Sequence, residues 1–356
     1  MNIDRLMAVM PENVDAALIV TPRNRRYFTE FDSSDGFLLV TRKGSVFYTD
    51  SRYIEAARNQ IDCCDVEEGK NVFAQMKDYL VSRNVSSIAV EAAGMTLAEF
   101  GRLSSNDSMK DFSFVSDNSL DSAISVFRRV KTEKETEKIL AAQKIAEDAF
   151  IHILDFIKKG RTEKEIQLEL DFFMLKNGAD ALSFDTIAVS GKNSSMPHGV
   201  PSGKAVEDGD FITMDFGAVV DGYHSDMTRT VAVGHVSDEQ REVYDTVLRA
   251  QLASIDVIRA GVSCFDADKA ARDVINAAGY GEYFGHGTGH GVGVEIHELP
   301  NLSPKSTMTL EKGNIVTVEP GIYLPGRFGV RTEDMVFVTE NGCENLTKSQ
   351  KSLIVL

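Results

Sequence analysis

Apolar residues in the first third of the chain come in short runs closed by turn residues. Runs over 16–20, 36–41, 45–49 and 87–91 predict strands, with turns at 33–36 and 41–44. Helical spacing over 53–60, 72–83 and 97–103 alternates with them, and 104–108 reads as a polar loop. Such alternation predicts an α/β domain with a mixed sheet. Near residue 128 the pattern changes. Behind the charge-rich stretch 131–138, Ile139, Ala142, Ile145, Ala146, Ala149, Ile153, Phe156 and Ile157 share one helical face, and Lys158, Lys159 and Gly160 predict its end. Thr162-Glu-Lys-Glu165 is a capping box that starts a second helix, ending near Gly178. Strands follow over 184–190 and in a hairpin over 211–231, then helices over 237–260 and 266–278, then strands over 315–319 and 330–338. Two helices precede each set of strands, which predicts two similar halves with a site between them. The expected organisation is α+β: a smaller N-terminal α/β domain at 1–128 and a C-terminal domain at 129–356.

The totals narrow the function more than the fold. A length of 356 residues suits two domains, and 43% hydrophobic residues supply their cores. No apolar run reaches the 18 or so residues of a membrane span. The N-terminus carries early charge, Asp4 and Arg5, and lacks the apolar stretch of a signal peptide. Four cysteines form no CxxC motif and suit a reducing compartment, so a cytoplasmic location is expected. The net charge of −16 argues against nucleic acid and against anionic membrane surfaces as partners.

Candidate chemistry begins in the hairpin. Asp215 ends one apolar run, Asp226 opens the next, and Asp221-Gly222 between them is a strong turn signal. The turn is expected to set the two carboxylates opposite, or nearly opposite, each other on antiparallel strands. Carboxylates side by side in an apolar sheet repel and are poorly solvated, which calls for a cation. His224, beside the hairpin and pointing opposite to Ser225, is not expected to be a ligand, with a place on the pocket wall left open to it.

Further along, Phe284-Gly-His-Gly-Thr-Gly-His-Gly-Val-Gly-Val-Glu-Ile-His297 sets His286 and His290 among glycines, as though the backbone passes close to a ligand. Neutral imidazole is a good ligand for a transition metal. A phosphate loop would need a lysine that is absent here, and Asn301 rules out a zinc helix of the HExxH kind at His297. Glu319 closes the strand before Pro320-Gly321, and Glu333 lies two residues from Arg331, on the same face of the expected strand. His152, in a helix, reads as a packed or surface histidine.

Taken together, Met214-Asp-Phe-Gly217, Ser225-Asp-Met-Thr-Arg229, His286-Gly-Thr-Gly-His290, Val318-Glu-Pro-Gly-Ile-Tyr323 and Arg331-Thr-Glu-Asp334 resemble the motifs of the pita-bread metallopeptidases. That family holds the Xaa-Pro aminopeptidases (aminopeptidase P), the Xaa-Pro dipeptidases (prolidases) and the methionine aminopeptidases. The resemblance runs closely from about residue 130 to the end. Residues 1–125 resemble, more loosely, the N-terminal domain of the proline-specific members and of creatinase, which bacterial methionine aminopeptidases lack.

The resemblance implies a pita-bread catalytic domain and a five-residue metal set: Asp215, Asp226, His290, Glu319 and Glu333. It implies two divalent ions shared by Asp226 and Glu333, with Asp215 on one and His290 and Glu319 on the other. The oxygen-rich set favours Mn²⁺, with Co²⁺, Zn²⁺ or Fe²⁺ as alternatives. A hydroxide between the ions is the implied nucleophile, and Glu319 the implied proton carrier. His198 matches the histidine that contacts substrate, and His297 the one that stabilises the developing oxyanion or binds the substrate's carboxyl end. Arg331 is expected to orient Glu333 or another ligand, and His286 to support the ligands without being one. The implied substrate is a peptide with proline second, and the implied assembly a homodimer. Two alternatives share the fold: a metal-independent creatinase-like C–N hydrolase, and a non-catalytic binding protein. Relatives of both kinds tend to lose the ligands, all of which are present here.

Overall fold

The computed structural model describes residues 2–356; Met1 lies outside them. The chain divides into two compact units, Met1–Phe127 and Arg128–Leu356.

In the first unit the described residues form helices α1 (Asn2–Val9), α2 (Pro22–Thr29), α3 (Ile54–Gln60), α4 (Val72–Ser82), α5 (Leu97–Ser104) and α6 (Ser119–Arg129), and strands β1 (Ala16–Ile19), β2 (Phe37–Thr41), β3 (Gly44–Thr49), β4 (Asp65–Glu68), β5 (Ser87–Val90) and β6 (Ser113–Val115). The strands make one sheet in the order β4-β3-β2-β1-β5-β6. Its centre is antiparallel and its flanks parallel, a mixed sheet. Leu18, Leu39, Val46, Ile88 and Val90 from the sheet bury against Met76 and Leu80 of α4. The pattern-based reading finds the four central strands and three of the helices. It misses α1, α2, β4, β6 and α6.

The second unit repeats one plan. Helices α7 (Glu133–Phe156) and α8 (Glu163–Lys176) precede strands β7 (Ala181–Leu182), β8 (Ile187–Ser190), β9 (Phe211–Phe216), β10 (Ala218–Val220), β11 (Tyr223–His224) and β12 (Met227–Ala232). Helices α9 (Asp238–Val257) and α10 (Cys264–Ala277) then precede β13 (Gly289–Gly291), β14 (Glu298–Leu302), β15 (Ile315–Val318), β16 (Gly321–Leu324), β17 (Phe328–Arg331), β18 (Asp334–Val338) and β19 (Cys343–Asn345). The predicted capping box at Thr162 is present, and Thr132 and Ser237 start α7 and α9 with boxes of the same kind. The first helix stops sooner than expected. Ile157 is already extended, so Lys158 and Lys159 lie outside it, and Gly160, at φ +92°, serves the turn that follows.

Alternation on the strands aims the site. On β9 and β12, Ile212, Met214, Phe216, Met227 and Val231 face a core shared with Ala146, Ile153, Ile166 and Leu170 of α7 and α8. The opposite face carries Thr213, Asp215, Thr228 and Thr230. On β15, Val316 and Val318 face a core with Ile258, Cys264 and Ala267, which leaves Thr317 on the other side.

Two expectations about these strands need correcting. The hairpin is not a single ladder. Asp221 and Gly222 do make a tight turn, with φ +49° and +76°. Around it, however, β10 and β11 pair within a different sheet from β9 and β12. The register sets Asp215 opposite Thr228, so Asp226 lies two residues along, diagonal to Asp215 rather than facing it. Likewise 330–338 is not one strand. It breaks at Thr332-Glu333 into β17 and β18, which belong to different sheets. Arg331 and Glu333 therefore share no strand face.

Candidate metal centre

A cavity of about 550 Å³ opens within the second unit. Asp215, Asp226, His290, Glu319 and Glu333 all line it, as do His198, His286, His297 and Arg331. Residues spread over more than a hundred positions of sequence thus meet around one space.

The carboxylates arrive from two ladders. Asp215 and Asp226 stand at the ends of β9 and β12. In the second half Val318 pairs with Asp334, so the next positions along that register are Glu319 and Glu333. A backbone bond ties the two halves, from Glu333 N to Thr228 O (3.1 Å), and within the second half Glu319 N donates to Thr288 O (2.7 Å). His290 Nε2 stands 3.5 Å from Asp226 Oδ2 and 3.4 Å from Glu319 Oε1. Ligand atoms of Asp226, His290 and Glu333 all lie within 4.8 Å of one another, close enough for a shared ion. His290 Nδ1 lies 3.1 Å from Gly291 O, which suits an N–H at Nδ1 and leaves Nε2 free as a ligand.

The electrostatics show a cluster built for cations. Burial, then Glu333 and Asp215, hold the Asp226 carboxyl well above the ordinary carboxylate range. Burial, then Glu319 and Asp215, do the same to Glu333. Burial, with Asp215 beside it, pushes Glu319 up to about 8 against the pull of Arg331. Burial and the neighbouring His297 push His290 down to about 4, so it is neutral at physiological pH. Buried oxygens Asp215 Oδ1 and Glu333 Oε1 have no hydrogen-bond partner among the described residues. Orphaned carboxylate oxygens in a buried cluster are costly unless a cation meets them. The residues present therefore fit divalent ions.

Arg331 is the one cation of the chain in direct contact with this set among the described residues. Its Nη2 donates to Asp215 Oδ2 at 2.5 Å, its Nη1 to Tyr323 Oη (2.9 Å) and Pro197 O (3.2 Å), and its Nε to Thr228 Oγ1 (3.0 Å). It reaches Glu333 only through Thr228, whose hydroxyl donates to Glu333 Oε2 at 2.7 Å. Thr317 Oγ1 plays a similar part, donating to Glu319 Oε1 (3.3 Å) and accepting from His290 N (3.0 Å). His286 Nε2 lies 2.9 Å from Tyr323 Oη and touches no carboxylate of the cluster. The sequence reading passed over Thr228, Thr317 and Tyr323. The two threonines were findable, because each lies two residues from an acid on the same strand face.

Four of the five glycines of 284–293 make room for the protein itself, and two of the four, Gly287 and Gly289, also line the cavity. A Cβ on Gly287 would crowd Leu302 O, on Gly289 Thr317 O, on Gly291 Leu299 O, and on Gly293 the Glu298 carboxylate. These four let strands and side chains of the protein itself close in. His224 bonds Ser183 Oγ (2.9 Å), and His152 pairs with Glu169 (2.6 Å) and stacks on Phe173.

Residues 137–340 match metallopeptidase family M24, and residues 3–117 match the creatinase/prolidase N-terminal domain. The chain belongs to metallopeptidase family M24. It is 42% identical to peptidase YqhT of Bacillus subtilis (strain 168), over 96% of each chain. Among solved structures, an Xaa-Pro dipeptidase from Bacillus anthracis superposes with a TM-score of 0.95 at 41% identity, covering 99% of each chain. An X-Pro aminopeptidase from Thermotoga maritima MSB8 superposes at 0.92 with 39% identity, covering 99% of this chain and 100% of that one. The fold is thus a creatinase-like N-terminal domain followed by a pita-bread domain, and the chain is a peptidase. No helix among the described residues is long and apolar enough to cross a membrane.

Proposed function

We propose that this M24 peptidase uses two divalent metal ions to hydrolyse the bond between an N-terminal residue and proline. One observation carries the reading. Five metal-type donors, two of them with orphaned buried oxygens, line one cavity together with His198 and His297. Solved relatives at 41% and 39% identity bear the names Xaa-Pro dipeptidase and X-Pro aminopeptidase, which supports proline as the second residue.

Asp226 and Glu333 would be shared between the ions, with Asp215 on one side and His290 and Glu319 on the other. The donor set is mostly oxygen, which favours Mn²⁺. Bound there, the ions would supply an acidified water and a Lewis acid for the scissile carbonyl. The chain's residues manage the protons and charges. Arg331 fixes Asp215 through the contact of its Nη2 with Oδ2. Glu319 takes a proton from that water and delivers it to the departing nitrogen. That delivery is needed because an amide nitrogen leaves as an amine only once it has gained a proton. His198 and His297, exposed on the cavity wall, donate to the carbonyl oxygen as it gains charge. Phe184, Ile187 and Ile296 give the cavity an apolar side for the ring. A homodimer, expected from the family resemblance, and a cytoplasmic location, expected from the N-terminus and the cysteines, belong to the same proposal.

Assaying Xaa-Pro dipeptides beside Xaa-Pro-Yaa peptides with added Mn²⁺ tests it. Hydrolysis before proline in either series is expected. Turnover confined to dipeptides makes the enzyme a prolidase, and turnover of the longer series an aminopeptidase P. Equal turnover of peptides without proline would overturn the proline specificity.

A further inference from the structure

His198 is exposed, on a segment with little apolar anchorage: Met196 is 49% and Val200 82% exposed. Its position must come from polar tethers. The largest of these is Glu163, the first residue of α8, whose side chain is wholly buried and takes no part in the chemistry above.

Glu163 gathers both ends of residues 190–202. Its Oε1 accepts from Ser190 N (2.6 Å) and Ser190 Oγ (3.1 Å) at one end. Its Oε2 accepts from Ser202 N (3.0 Å) and Ser202 Oγ (2.6 Å) at the other. Asn193 Nδ2 bonds both oxygens, at 3.0 and 3.1 Å. A segment of this length with its ends held together is an Ω-loop. Lys204 Nζ reinforces the neck by donating to Ser190 Oγ (3.0 Å) and Asp210 Oδ2 (2.6 Å). Within the loop, Ser194 Oγ accepts from Gly329 N (2.9 Å), and Pro197 O accepts from Arg331. The peptide bond before His198 therefore rests on the same arginine that holds Asp215.

We propose that Glu163 is a positioning residue for the reaction: it closes this Ω-loop and so fixes where His198 meets the substrate carbonyl. The inference rests on the role given to His198 above. Both oxygens of the carboxylate face backbone or amide N–H donors, so an amide in its place sets an NH₂ group against an N–H and loosens the neck. A displacement of about 1 Å at a reacting group can cost on the order of 10²-fold in rate.

A double-mutant cycle on the metal-loaded enzyme tests the proposal, read as kcat/KM on an Xaa-Pro peptide. Glu163→Gln is expected to lower it by about 10- to 100-fold, with bound Mn²⁺ unchanged and faster amide exchange over 190–202. Added to His198→Ala, the same substitution is expected to cost nothing further, because the group it positions is gone. Ser202→Ala, which removes one donor and leaves the carboxylate that starts α8 in place, should give a weaker version of both results. It carries the test if Glu163→Gln does not fold. Losses that multiply in the double variant, or exchange over 190–202 that stays at the parental rate, overturn the positioning role alone. A His198→Ala enzyme as fast as the parent overturns the reading of His198, and this role with it.

Discussion

Two clusters of buried charge lie in the second unit, and they are built on opposite terms. In the first, Glu298 is met on both oxygens: Arg128 Nη2 stands 2.6 Å from Oε1, and Lys131 Nζ 3.1 Å from Oε2. Burial alone would raise its pKa, yet Lys131 and Arg128 bring it below the usual range. In the second, Asp215, Asp226, Glu319 and Glu333 share one arginine, and the last three carboxyls are pushed upward. The Glu298 side chain, 3% exposed, is no more accessible than those of Asp226 at 6% or Glu319 at 18%, so the supply of cations makes the difference. The first cluster is complete within the chain. The second is complete only with positive charge from outside, which is why it reads as a binding site and the other as a clamp.

Removing that outside charge breaks the comparison most forcefully. Chelation should abolish peptidase activity and leave Arg331 as the only cation in contact with the carboxylates. The pH dependence of the stripped protein then has a definite sign. Glu319 titrates near 8 in the fold against an ordinary 4.5, and Asp226 and Glu333 shift the same way. Between those values the native state holds more protons than the unfolded one, so stability falls as pH rises. Tm of the stripped protein should drop from pH 4.5 to 8, and restored Mn²⁺ should reverse the drop at the alkaline end. A stripped protein that grows more stable across that window would contradict the reading of the cluster.

Glu319→Gln sharpens the comparison at one atom pair. It keeps the shape of the side chain and removes its capacity to carry a proton. We expect kcat on an Xaa-Pro substrate to fall by about 10²–10⁴-fold, with the fold intact by circular dichroism. A variant as fast as the parent would strip Glu319 of its proton-carrying role.

How much of this was written in the sequence differs between the two clusters. The carboxylate cluster is legible because it breaks local rules. Acids that end apolar strands, and histidines among glycines, have no business in a core unless they meet something. The geometry behind it is less legible. Glu333 is an acid between two strands of different sheets, and nothing in Val330-Arg-Thr-Glu-Asp334 announces the break. The diagonal of Asp215 and Asp226 depends on where the ladder ends, which a turn signal alone does not set. In the first unit α2 escapes a hydrophobic reading for a physical reason. Buried Asn24 and Arg25 are held by Glu91 and by backbone carbonyls, not by apolar contacts. Edge strand β4 is Asp-Val-Glu-Glu, with no apolar alternation to read. By contrast α6 did carry a readable stripe, Leu120, Ala123, Ile124 and Phe127, all buried.

The Glu298 cluster was not legible at all, since its partners lie some 170 positions away at the start of the unit. It yields the smallest prediction and the cleanest control. Lys131→Met keeps the apolar stem and deletes one of the two cations, in a pair whose side chains are 1% and 3% exposed. Taking one partner from a buried pair costs about 3–5 kcal/mol. Arg128 remains on Oε1, so the low end, about 3 kcal/mol, is expected from urea unfolding. Glu298→Gln in the same chain should recover part of that loss, because the stranded charge goes with it. Neither change touches a proposed ligand, so bound Mn²⁺ should stay at the parental level. If Lys131→Met instead empties the metal centre, the two clusters are one electrostatic unit, and the contrast drawn between clamp and binding site fails.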